Sequence, residues 1–129
     1  MIVVAIIGIL ASIAVPKFSN LIRKSNEGQT KGNLGQMRST LSIYYADMEG
    51  QYPTAPWQQN SAVLSSLVPK YLRAMPTLQF GHYHTATDDV FCHQPDDFSH
   101  DGTGWGYLGA SNYPTDANAG NIWVFCTHT

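Results

Sequence analysis

The chain has 129 residues, 43% hydrophobic and only 12% charged, with a formal net charge of −2. That length favours a single core. Its only two cysteines, Cys92 and Cys126, lack Cys-x-x-Cys spacing, which excludes a thioredoxin-like site and an attached c-type haem.

The first predicted element is an apolar run, Met1-Ile-Val-Val-Ala-Ile-Ile-Gly-Ile-Leu-Ala-Ser-Ile-Ala-Val15, closed by Pro16-Lys17-Phe18. A small core cannot bury such a run from a chain end. A secretory signal would start basic and finish at a small-residue cleavage site. Here Pro16-Lys17-Phe18-Ser19-Asn20 reads on into more helix. A spanning helix needs about 20 apolar residues, so the run is a partial span or a few residues precede Met1.

These residues, through Phe18, resemble the amino-terminal segment of type IV pilins and type II secretion pseudopilins, strongly over roughly the first 25 positions. Gly8 and Pro16 fall where that family places its helix-weakening residues. The resemblance implies that a basic leader and about six mature residues, Phe-Thr-Leu-Ile-Glu-Leu with a methylated first residue, stand before Met1. It implies a pilin fold, α+β: a long helical stalk packed against a small antiparallel head. It further implies polymerisation of copies of the chain through the helix that carries Ile2, Ile6, Ile9, Ile13, Pro16 and Phe18, with melting between Gly8 and Pro16 on assembly. The implied partners are a prepilin peptidase and an inner-membrane assembly platform. The implied location is the inner membrane before assembly, then a periplasmic pseudopilus or an extracellular pilus. In an exported chain a pair of cysteines is expected to bridge, two buried free thiols being the other reading, and pilins commonly carry a carboxy-terminal disulfide. A Cys92–Cys126 bridge closing a 35-residue stretch would contribute about 4 kcal/mol on the chain-entropy view.

From Phe18 to Met48 the sequence continues as helix, so that residues 1–49 form the anchor and stalk and 50–129 the head. Leu34, Met37, Leu41, Tyr44 and Met48 recur at three- and four-residue steps, a stripe suited to packing on a sheet. Gly28, Gly32 and Gly35 each lower helix propensity by about 1 kcal/mol relative to Ala. They admit either close approach of a neighbouring backbone or plain tolerance in a packed helix. Glu49-Gly50 and then Pro53 end the element. Within the first 38 residues Lys17, Arg23, Lys24, Lys31 and Arg38 face only Glu27, leaving +4 there and −6 on the remainder of the chain. A solvated helix face accounts for each cation singly. Spread along the helix with no stacking aromatic among them after Phe18, they do not fit a nucleic-acid partner. In a self-assembling chain, a basic stalk beside another copy's acidic head favours staggered contacts.

The head begins with a turn-rich link, Gln51 to Trp57, and a short helix, Ser61 to Val68, stopped by Pro69. Strand-like segments follow near Leu78 to His84, Asp89 to Cys92, Gly104 to Leu108 and Gly120 to Cys126. The short Gly- and Asn-rich turns between them predict an antiparallel sheet. The order Gly50-Gln-Tyr-Pro-Thr54, short helix, Tyr71-Leu72, Pro76 is similar to major pseudopilins. Their Asp-Pro-Trp-Gly is absent here, and they usually lack a disulfide, which keeps a pilus subunit in view.

Chemistry has thin support. Asp97, Ser99 and Asp101 before Gly102 are spaced like the first half of a calcium loop, but Leu108 stands where the bidentate Glu belongs. An Asp-Gly turn is the alternative. His82 and His84 share a strand face, yet no His-x-x-x-His spacing marks a zinc site. No nucleophile elbow or phosphate-binding loop occurs, so no catalytic residue and no cofactor beyond that calcium are expected. The expected function is a filament subunit; the other reading is an exported binding or catalytic domain that uses the helix only as an anchor.

Overall fold

The computed structural model describes residues 1–54, 62–79, 85–92, 104–109 and 119–125. Helix α1 runs over Ile2–Asp47, 46 residues, a rod of about 69 Å. It continues through Pro16, whose missing N–H leaves the Ser12 carbonyl without its helical donor. The Ser12 hydroxyl turns back on the same stretch and donates to the Ile9 carbonyl at 2.7 Å. At the far end the Met48 N–H closes on the Tyr44 carbonyl at 2.9 Å and the Gly50 N–H on Tyr45 at 2.9 Å. Glu49 (φ 53°) and Gly50 (φ 86°) swing the chain off the axis through left-handed backbone, which glycine adopts without a Cβ penalty.

Beyond the stalk lie α2 (Ala62–Leu67), β1 (Val90–Cys92), β2 (Gly104–Tyr107) and β3 (Ile122–Phe125). The strands form one sheet in the order β1-β2-β3. Strand β2 pairs antiparallel with β3, whereas β1 pairs parallel with β2, Phe91 opposite Gly106. The sheet is therefore mixed rather than wholly antiparallel. A tight turn at Asp101-Gly102 could join only antiparallel neighbours; parallel pairing needs a crossover of about a dozen residues, and residues 93–103 supply that length. Leu78, expected to open a strand, instead makes an isolated antiparallel bridge to Thr87; residues 80–84 of that segment lie outside the described residues.

The core forms where the second half of α1 meets the sheet. Met37 and Leu41 are buried with Leu67, Leu72, Leu78, Val90, Trp105, Tyr107 and Ile122, and Leu34 and Tyr44 pack against them half-buried. Met48 was expected on this stripe but is 38% exposed; as the residue that caps α1, it lies past the packed stretch. Polar side chains of α1 stitch the head to the stalk. The Thr30 hydroxyl exchanges hydrogen bonds with the Gln79 backbone, donating at 3.2 Å and accepting at 3.3 Å, and Asn33 donates to the Thr77 carbonyl at 2.8 Å. Within the head, Trp105 Nε1 donates to the Pro76 carbonyl at 2.8 Å, and the buried Tyr107 hydroxyl to that of Pro53 at 2.9 Å.

The end of α1 is tied down by charge. Lys70 Nζ donates to Asp47 Oδ2 at 2.9 Å and to the Tyr71 hydroxyl at 2.7 Å, while that hydroxyl donates to the same carboxylate oxygen at 2.7 Å. The hydrogen bond from Lys70, then the one from Tyr71, holds the Asp47 carboxyl below its usual range. Tyr71 first and Asp47 second raise the Lys70 ammonium. Both side chains remain more than half exposed, so solvent screens the pair.

Candidate assembly interface

The first half of α1 folds as helix but buries nothing. Ile2, Ile6, Ile9, Ile13 and Phe18 are 77, 52, 64, 56 and 63% exposed, and Pro16 is exposed as well. Val3, Val4, Ile7, Leu10, Val15, Leu21 and Ile22 join them on the remaining sides. A helix that is apolar all round belongs inside something, a membrane or a packed assembly. By length and composition α1 can cross a membrane, and none of its most apolar window is buried within the chain. An exposed apolar surface of this extent marks a membrane or protein contact.

Gly8 and Pro16, the two helix-weakening positions, both lie in this bare stretch. The glycines further along are equally free: a Cβ placed at Gly28, Gly32 or Gly35 would meet nothing within 4 Å outside its own turn. Each lowers helix propensity by about 1 kcal/mol relative to Ala, and among the described residues no neighbour requires it.

Sequence reasoning missed two features near the end of α1. Thr40 is buried and donates to the Gln36 carbonyl at 2.9 Å, the back-bonding open to a hydroxyl inside a helix. An open cleft of about 370 Å³ lies beside the helix terminus, lined by Tyr44, Asp47, Met48, Glu49, Gln51, Tyr52 and Thr54. Tyr44 and Met48 belong to the apolar stripe, and nothing in the spacing of the acids and turn residues beside them signals a cleft.

The backbone of Cys92 ends β1, but its side chain, with Cys126, Asp97, Ser99 and Asp101, lies outside the described residues, as do all five histidines. Among the described residues no three His, Cys, Asp or Glu side chains converge as metal ligands would.

Three type IV major fimbrial proteins, FimA, of Dichelobacter nodosus are each 47% identical to this chain over 47 residues, 36% of its length. The match spans 30% of the length of two of them and 29% of the third. No family model and no solved structure matches the chain. The chain thus shares a stretch with type IV fimbrial subunits, and its long exposed apolar helix fits the amino terminus of a pilin.

Proposed function

We propose that the chain is a structural, non-enzymatic subunit that polymerises through α1 into a type IV pilus or a type II secretion pseudopilus. The observation that carries this reading is the helical stretch from Ile2 to Val15, apolar around its circumference and uncovered by the described residues of its own head. Before assembly the inner membrane covers that surface. In the filament, copies of the same helix cover it, and the acidic heads face outward. A prepilin peptidase and an assembly platform in the membrane serve the two stages. The fimbrial relatives favour the pilus, and the Gly50-Gln-Tyr-Pro-Thr54 order is the feature in favour of the pseudopilus.

Placing a carboxylate at Ile6 or Ile9 tests the proposal. A charge at the centre of an apolar span costs about 3 kcal/mol even where a membrane adapts around it, and a close-packed bundle adapts less. Ile6→Asp and Ile9→Asp are expected to abolish filaments in cells when compared at equal membrane levels. Normal filaments from either variant would reduce the helix to an anchor.

A further inference from the structure

The chain leaves α1 at Asp47 and turns back beside it. Glu49 and Gly50 both have left-handed backbone, and the Gln51 N–H returns to the Met48 carbonyl at 3.1 Å. Gln51, Tyr52 and Thr54 thereby line one cleft of about 370 Å³ together with Tyr44, Asp47 and Met48. Its aromatic lining is fixed by the fold. Tyr44 stands edge-on to Tyr71, with 5.3 Å between ring centroids, and the Tyr71 hydroxyl donates to Asp47. Tyr52 lies against Tyr45 at 4.5 Å and beside Gly120, where an added Cβ would overlap its ring. The next residue, Pro53, is buried and accepts from the Tyr107 hydroxyl. Rings held in this way lose little freedom when a ligand binds.

Charge selects the class of ligand. The last turn of α1 carries no basic residue, so nothing within it offsets the negative end of the helix dipole. Asp47 is taken up by Lys70 at 2.9 Å. Glu49 is exposed and forms no ion pair among the described residues. That balance disfavours an anion. A bound metal ion needs several converging ligands, and no three His, Cys, Asp or Glu side chains converge among the described residues. Tyrosine rings attract organic cations, and the cleft has the size of small-molecule sites, about 300 to 1,000 Å³.

We propose that this cleft binds an aliphatic ammonium ion, its charge against Glu49 and the end of α1 and its hydrocarbon against Tyr44, Met48 and Tyr52. The carboxylate accepts from the ammonium, the helix dipole favours the same sign of charge, and the rings and the thioether side chain cover the methylenes. Lys70 stays on Asp47 and Tyr71, so the ligand has no need to displace it. Two sources carry this chemistry: a free alkyl amine, and the lysine side chain of another protein.

Ligand-observed NMR titrations of the detergent-extracted full chain test the site, with butylammonium as the probe, butanol as its uncharged counterpart and acetyl-lysine amide as the stand-in for a protein lysine. Saturable binding of butylammonium is expected. Glu49→Gln should weaken it about fivefold, the upper end for an exposed charge pair, and Tyr52→Leu about threefold. Glu49 is exposed, so its exchange keeps the fold and decides the matter even where the tyrosine variant fails to fold. Tighter binding of acetyl-lysine amide than of butylammonium would support the site and assign it to a protein lysine; the reverse would support it and assign a free amine. Equal affinity for butanol, unchanged affinity in Glu49→Gln, or no saturable binding would overturn the site. Filament formation enters none of these measurements, so the site and the polymerising role of α1 stand or fall separately.

Discussion

Met37 is the side chain on which the stalk most depends for its grip on the head. It is fully buried, with Leu41 one turn later, and Met37→Ala should lower stability by about 2 to 5 kcal/mol, read as a fall in melting temperature with no change in membrane level. Gly120 is a different kind of constraint. Its φ is +84° and an added Cβ would run into the Tyr52 ring, so Gly120→Ala combines left-handed strain with overpacking, about 2 kcal/mol or more. At Asp47 the effect depends on pH. Its folded carboxyl titrates below the ordinary 3.8, so the tie to Lys70 is complete above that value and is lost as pH falls through the depressed one. Lys70, raised in the folded chain, has the opposite limb, its contribution fading only as strongly alkaline pH passes the raised value. Asp47→Asn should therefore lower the melting temperature slightly at neutral pH, by the small amount a solvent-screened pair contributes, and remove the matching fall on the acid side of a melting-against-pH curve.

Among the elements, α1 combines a stable half with one poised to change. Between Gly8 and Pro16 the ladder already lacks one hydrogen bond, that of the Ser12 carbonyl, and the Ile9 carbonyl takes a side-chain hydroxyl in addition. In a bilayer the freed carbonyl has no water, which favours keeping the rest of the helix. In a filament neighbouring helices can cover an extended segment, and stretching it from about 1.5 to about 3.3 Å per residue lengthens the stalk. Amides 9 to 15 should exchange with deuterium faster in filaments than in the membrane-held subunit; equal protection would leave the helix unbroken. Cys92 ends β1, and Cys126 directly follows β3 in sequence. A bridge between them would tie the end of the chain to the sheet. It predicts a mass about 2 Da lower without reductant than with it; equal masses, with both thiols alkylatable, would rule it out.

For the whole molecule, the division of labour along α1 is sharp. Among the described residues the first stalk residue hydrogen-bonded to the head is Thr30, and nothing before it is buried. Removing residues 1–18 should yield a water-soluble monomer that melts at the temperature of the detergent-held full chain. A large fall in melting temperature would mean that the bare stretch supports the head. The asymmetry of charge, +4 over the first 38 residues and −6 beyond them, is a long-range counterpart of the same division.

The helix, its end and its two faces were legible from residue order alone, because period and breakers act locally: Leu34, Met37, Leu41 and Tyr44 recur at helical steps, and Glu49-Gly50 turns the chain wherever it occurs. The apolar run was legible for the same reason, since no packing inside so small a head could hide it. The parallel pairing of β1 with β2, the exposure of Met48 and the cleft at the helix end were not legible. Each depends on which strand lies beside which, a choice made by contacts between residues far apart in sequence. Spacing along the chain is silent about a crossover, and only the tertiary structure decides which neighbours a strand or a glycine receives.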